Sequence, residues 1–271
     1  MQSTKLLTRT ITLPNGKVVH ERRSLFPIYL ILALVLIYYS IQLTGFNMEM
    51  LVRRINEFFV ILQDMIPPNW DYISQLWSPL IATIKMSLFG SLLGSLSALP
   101  LAILAASNIN GMKWLSITMK FVLSLLRTLP TLVVALIATF VFGLGTMAGT
   151  VAIFLFSIAY VGKLLYEQIE NANMDAYEAM QAMGLTTVQS FRYAIFPQVL
   201  PNYLSTALFC FEGNVRYAAI LGYVGAGGIG LMLNESLGWR NYSNVGMILI
   251  MLVVTVYIIE TISEYCRKKL T

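Results

Sequence analysis

The chain has 271 residues, 57% hydrophobic and 11% charged, with a formal net charge of +5 and a mean hydropathy of +0.72. An ordinary soluble domain carries about a quarter charged residues, so this mix excludes one. The basic residues are spread over several segments and form no single stripe, which reads as a topology signal and excludes a nucleic-acid footprint.

The N-terminal tail, 1–25, alternates in polarity from Lys5 to Thr12 and from Lys17 to Arg22 around Pro14-Asn15-Gly16. Asn-Gly favours the two-residue turn that closes hairpins, yet an isolated hairpin is marginal in water. A small cytoplasmic β-hairpin and a frayed polar tail both remain open.

A membrane-crossing helix needs about 20 apolar residues to span roughly 30 Å of hydrocarbon. Six runs qualify, near 26–44, 79–107, 114–142, 147–166, 198–223 and 244–265. The first follows a basic segment but is long and lacks a small-x-small cleavage site, so it reads as an uncleaved anchor. An even count puts both termini on one side. Placing them in the cytoplasm assigns most basic residues there, among them Arg22, Arg23, Lys113, Lys120, Lys163, Arg192 and Arg267, and leaves Arg53, Arg54 and Arg240 outside.

Between the first two runs, over 50–66, Leu51, Ile55, Phe58, Leu62 and Met65 recur at helical spacing opposite Arg54, Glu57 and Asp64. This predicts a helix lying on the outer face, ended by Pro67 and Pro68. Trp70, Tyr72 and Trp77 follow at the depth of an aromatic belt. In the second run Gly90, Gly94, Ala98, Ala102 and Ala106 repeat every four residues, the pattern of two helix backbones in close contact within lipid. Lys85 and Arg127 lie near run ends, where long side chains snorkel to the interface.

The loop 173–201 is polar enough to leave the membrane, yet patterned. Ala176, Ala179, Met180 and Met183 form an apolar stripe, Gly184 stops a helix, Thr187 can cap a second, and Val188, Phe191 and Ile195 continue the apolar face to Pro197. Two short helices joined at a glycine make a knob suited to docking on a partner. Glu178-Ala179-Met180, with Gly184 and Pro197 at their spacings, resembles the EAA loop of binding-protein-dependent ABC importer permeases. Met180 stands where a second alanine is usual.

In the fifth run Glu212 and Arg216 are four apart, share a helix face and can pair. Unpaired charge in lipid costs about 2.5 to 3.5 kcal/mol on insertion scales, so both must face protein or a water-filled cavity. Arg216 with Asn214 as the lining of an anion route and Glu212–Arg216 as a structural pair stand as equal alternatives. The stretch from Phe211 to Arg216, the following Leu221 to Gly230, Arg127-Thr128-Leu129-Pro130 and Pro67-Pro68 together resemble phosphonate-type permeases. Methionine permeases share such a glycine-rich stretch.

Gly225, Gly227 and Gly230 also fit GxGxxG, but a dinucleotide site needs a preceding strand, a βαβ unit and a later acidic residue. Here apolar spans flank the glycines, so Gly225, Gly227, Gly228 and Gly230 read as a tight turn or a close packing point. Cys210 and Cys266 lie at unlike depths and read as ordinary thiols. The chain has no phosphate-cradling loop ending in Gly-Lys-Ser or Gly-Lys-Thr, no HExxH motif and one histidine, His20.

The resemblance implies an all-α membrane protein with about six spans, of the type I ABC importer class typified by methionine permeases, over 26–271. It implies a bacterial cytoplasmic-membrane location and transport of phosphonate or a related phosphorus oxyanion. Implied partners are a second permease copy as a homodimer, two ATP-binding subunits and an extracytoplasmic phosphonate-binding protein. ATP and magnesium would sit on the ATPase; no cofactor or metal is expected in this chain. Glu178, Ala179, Met180, Gly184 and Pro197 would couple to the ATPase, Glu212, Asn214, Arg216 and Arg127 would belong to the pathway, and the glycines to an outer gate. A permease for another small solute such as methionine, and an ion-coupled secondary transporter, are the alternatives.

Overall fold

The computed structural model describes residues 8–12, 16, 18–22 and 25–270. It separates into two units, Met1–Val60 and Ile61–Thr271.

In the first unit, β1 (Thr8–Thr12) pairs antiparallel with β2 (Val18–Arg22), from Thr8 opposite Arg22 to Thr12 opposite Val18. Of the expected turn residues, Gly16 has a φ of 76°, while Pro14 and Asn15 lie outside the described residues. Helix α1 (Phe26–Thr44) has a proline in its first turn and stops at Gly45, whose φ of 63° is left-handed. Asn47 opens α2 (Met48–Asp64) by accepting from the backbone N–H groups of Glu49 and Met50 through its side-chain oxygen. The amphipathic segment expected over 50–66 is this helix.

The second unit is a helical bundle. Its longest member, α3 (Ile73–Ala105), follows a single helical turn at Trp70–Tyr72 and packs along α6 (Thr146–Glu170). The small-residue stripe explains that contact. A Cβ on Gly90 would press on Ile153, and one on Gly94 would come within 2.8 Å of the Phe154 carbonyl oxygen. Ala98 and Ala102 are fully buried. In lipid such close packing supplies the attraction that hydrophobic burial provides in water.

The run at 114–142 is not one helix. It divides into α4 (Lys113–Thr128) and α5 (Thr131–Phe142), which meet at 89°. Proline disfavours helical backbone in the residue before it and has no N–H to give; Leu129 and Pro130 are accordingly extended, with ψ near 122° and 128°. Among the described residues, five helices are long and apolar enough to cross a membrane, or six when this bent pair counts as one.

Beyond α6 come the short helices α7 (Asp175–Ala182) and α8 (Thr187–Ser190), then a π turn at Phe191–Ile195 leading into α9 (Phe196–Leu221). The tight turn Gly222–Val224, α10 (Ile229–Gly238) and α11 (Tyr242–Leu270) complete the chain. Helix α11 packs on α9 and carries Arg267, Lys268 and Lys269 in its last turn, where cations complement the negative end of the helix dipole.

Candidate functional site

The residues singled out in the sequence occupy three levels along α9, which at 26 residues is about 39 Å long. The α7–α8 knob adjoins its first turn, Glu212 and Arg216 lie in its C-terminal half, and the glycine turn follows its last residue.

The knob is tied to the bundle by Phe191 and Ile195 of the expected apolar face, together with Tyr177 and Ala194, which periodicity did not isolate. Tyr177, Phe191, Ala194 and Ile195 are buried in one cluster with Ala105, Leu165, Ile169 and Val199. The Gln198 side chain donates to the Asn173 carbonyl at 3.1 Å and accepts from the Asn173 N–H at 3.2 Å, closing the loop at its base. Asn108 donates to the carbonyl of Ile169 at 2.9 Å. With Tyr177 as the anchor, most of the apolar stripe looks outward: Ala176 and Ala179 are exposed, Met183 is 72% exposed, and only Met180 is half-buried. Glu178 is exposed beside them. The knob thus presents apolar and acidic side chains on a rigid base.

Gly184 ends α7 at a φ of 87°, with the Leu185 N–H reaching back to the Met180 carbonyl at 3.2 Å. The helix cap is Thr186, not Thr187. Gln189 donates its backbone N–H to the Thr186 hydroxyl and accepts the Thr186 N–H at 3.0 Å, a reciprocal box that Thr187 cannot make because Ser190 stands three residues on. Pro197 does not end the apolar segment; it lies in the first turn of α9, where its missing N–H costs nothing.

In the C-terminal half of α9, Glu212 is 6% exposed and Arg216 is 51% exposed. The guanidinium donates to one Glu212 carboxylate oxygen at 2.7 Å and to Glu260 of α11 at 3.2 Å, while Arg267 reaches the other Glu212 oxygen at 3.5 Å. Two arginines and two carboxylates therefore alternate across α9 and α11. Their charges cancel, as a low-dielectric setting requires. Spacing predicted the first pair; Glu260 and Arg267 were missed because helix periodicity cannot show which spans neighbour one another.

Arg216 borders a cavity of about 490 Å³ between α6 and α9, with Phe156, Tyr160, Cys210, Gly213 and Tyr217 in its wall. The structure places Asn214 elsewhere, 1% exposed on another face of α9. Its amide donates to Ser91 of α3 at 2.8 Å and to Ser157 of α6 at 2.9 Å. Arg127 stands exposed in the last turn of α4, just before the bend.

At the far end of α9, Gly225, Gly227 and Gly228 all have φ near 75° (79°, 75° and 71°). The Gly225 carbonyl accepts from the Gly145 N–H at 2.9 Å and the Ile229 N–H donates to the Thr83 hydroxyl at 2.8 Å, fixing the turn on two other segments. A Cβ on Gly230 would collide with the Ala219 carbonyl. Turning and close approach both operate here.

Residues 98–269 match the family described as "Binding-protein-dependent transport system inner membrane component". The chain is 32% identical over 211 residues to a phosphate-import permease protein of Mycolicibacterium smegmatis, an alignment covering 78% of this chain and 40% of that one. It is 32% identical over 205 residues to a phosphite transport system permease protein of Stutzerimonas stutzeri, covering 76% and 74% respectively. Among solved structures, the methionine ABC transporter MetNI in an inward-facing conformation shares the fold at a TM-score of 0.66 and 22% identity, over 75% of this chain and 99% of that one.

Proposed function

Because the chain belongs to the family of binding-protein-dependent transport system inner membrane components, the permease subunits of ABC importers, we propose that it carries phosphonate or a related phosphorus oxyanion across the bacterial cytoplasmic membrane. A substrate-binding protein on the outer side delivers the anion. Two ATP-binding subunits, which hold ATP and magnesium, dock on the knob, and a second copy of this chain completes the pathway. The bias of Lys and Arg supports cytoplasmic termini.

The observation that carries the substrate class is Arg216: a half-exposed guanidinium on a spanning helix, at the wall of a 490 Å³ cavity. A permanently charged planar donor suits a tetrahedral oxyanion, and its exposure is tolerable at that depth only beside water or a partner. The names of the phosphate- and phosphite-transport relatives point to the same chemistry. On the knob, Glu178, Ala179 and Met180 would meet the ATPase, while Gly184 and Pro197 set the angle at which its motion enters α9.

The test is uptake of labelled methylphosphonate by this chain co-expressed with its ATPase and binding protein, repeated with Glu178→Lys. ATP-dependent uptake that this change abolishes, with ATP hydrolysis continuing, supports the reading. Uptake that persists without the ATPase would overturn it in favour of ion-coupled transport.

A further inference from the structure

The two carboxylates on Arg216 are not equivalent. Glu212 is 6% exposed, lies 2.7 Å from the guanidinium and shares its charge with Arg267. Glu260 is 50% exposed and lies 3.2 Å away. The attraction between charges weakens as the pair becomes more solvated, so the Glu260 contact is the one a competing anion can displace.

Arg216 also stands between two cavities. One, about 440 Å³ between α9 and α11, is lined by Glu260 together with Leu252, Val253, Val256 and Tyr257. The other, about 490 Å³ between α6 and α9, has no carboxylate in its lining, and Arg216 is its one charged member, alongside the phenols of Tyr160 and Tyr217. A guanidinium has five N–H donors, so it can keep its bond to Glu212 while changing its second partner.

We infer that Glu260 is a substrate-mimicking latch: its carboxylate holds Arg216 toward the α9–α11 cavity and gives up the guanidinium when an oxyanion enters the α6–α9 cavity. Glu212 is the positioning residue that holds the guanidinium through the exchange. In the latched state the four charges sum to zero, so the empty site attracts no anion strongly. Displacement of Glu260 restores one positive charge to the cavity when a ligand is present to use it. The inference rests on the anion-transport reading and adds to it a residue that sets how tightly the permease holds its cargo.

The complex of this chain with its ATPase subunits, in nanodiscs without binding protein, is titrated with methylphosphonate, phosphite and inorganic phosphate, with ligand-induced thermal stabilisation as the readout. Glu260→Gln is nearly isosteric at a half-exposed position, and Glu260→Ala serves as a second variant. Both are expected to bind at least one of the three anions about two- to fivefold more tightly than the parent, the range given by removing one exposed ion pair, while Arg216→Gln loses the response. Binding by both variants no tighter than the parent, with lower intrinsic stability, would make the pair a helix staple and overturn the inference. Uptake by the parent complex with its binding protein is measured in parallel. Uptake without tighter binding by the variants sinks the latch alone, whereas no uptake of any of the three anions sinks the transport reading and the latch with it.

Discussion

Asn214 on α9 and Ser157 on α6 meet side chain to side chain at 2.9 Å, and the same amide reaches Ser91 on α3 at 2.8 Å. Three spanning helices are thus joined through one group that is 1% exposed. Between membrane helices such bonds contribute about 0.6 kcal/mol each on average. Replacing Asn214 by Leu is expected to destabilise the protein by about 1 to 2 kcal/mol through two lost bonds and two hydroxyls left without that partner. Thermal unfolding of the purified protein measures it. A stable variant that had lost uptake would instead return Asn214 to the pathway.

Gly184→Ala tests the knob's corner. A Cβ there meets nothing within 4 Å, so only the φ of 87° opposes the change. Left-handed backbone costs a non-glycine residue about 1 to 2 kcal/mol, local to the knob. We expect weaker co-purification of the ATPase with little loss of thermal stability in the spans.

Thr186→Ala removes the box that starts α8. Loss of such a cap typically costs about 1 kcal/mol. Backbone amides of Thr187 to Ser190 should exchange hydrogen faster, while those of α7, which has its own anchor in Tyr177, should not change.

Gly94 and Gly213 make a matched pair on spanning helices. A Cβ on Gly94 intrudes on the backbone of α6, whereas one on Gly213 finds no atom within 4 Å. Gly94→Val should prevent accumulation of folded protein. Gly213→Ala should leave thermal stability unchanged or raise it by up to about 1 kcal/mol, since alanine loses less backbone entropy in a helix. Equal effects of the two changes would refute the tight α3–α6 contact.

Much of this was legible in the residues, for identifiable reasons. The alternation of apolar runs with polar loops located the five long apolar helices, because a chain crossing lipid must satisfy its backbone within each helix. The four-residue repeat from Gly90 to Ala102 announced a close helix contact, though not that Gly94 would rest on Phe154. The right-angled break after Thr128 was hidden: apolar composition across 114–142 reads as continuous, and the backbone preference imposed by Pro130 outweighed it. Thr186 was overlooked for its neighbour because Gln189, the reciprocal partner, was not counted. Tyr177 escaped because burial of a lone aromatic on an eight-residue helix depends on what stands behind it. The partners of Glu212 across the bundle were beyond any local pattern, since they are fixed by which face α11 turns toward α9.

The break between α4 and α5 has a geometric consequence for the bilayer. Helices of 16 and 12 residues are about 24 and 18 Å long, and laid end to end they would overshoot a hydrocarbon slab of about 30 Å. Set at a right angle, they would climb roughly 30 Å together if each leaned about 45° to the bilayer normal. A pair that crosses in this way would fit the slab's thickness by angle instead of by residue count, so a thinner or thicker membrane would be met by opening or closing a corner, with no polar end dragged into the oil.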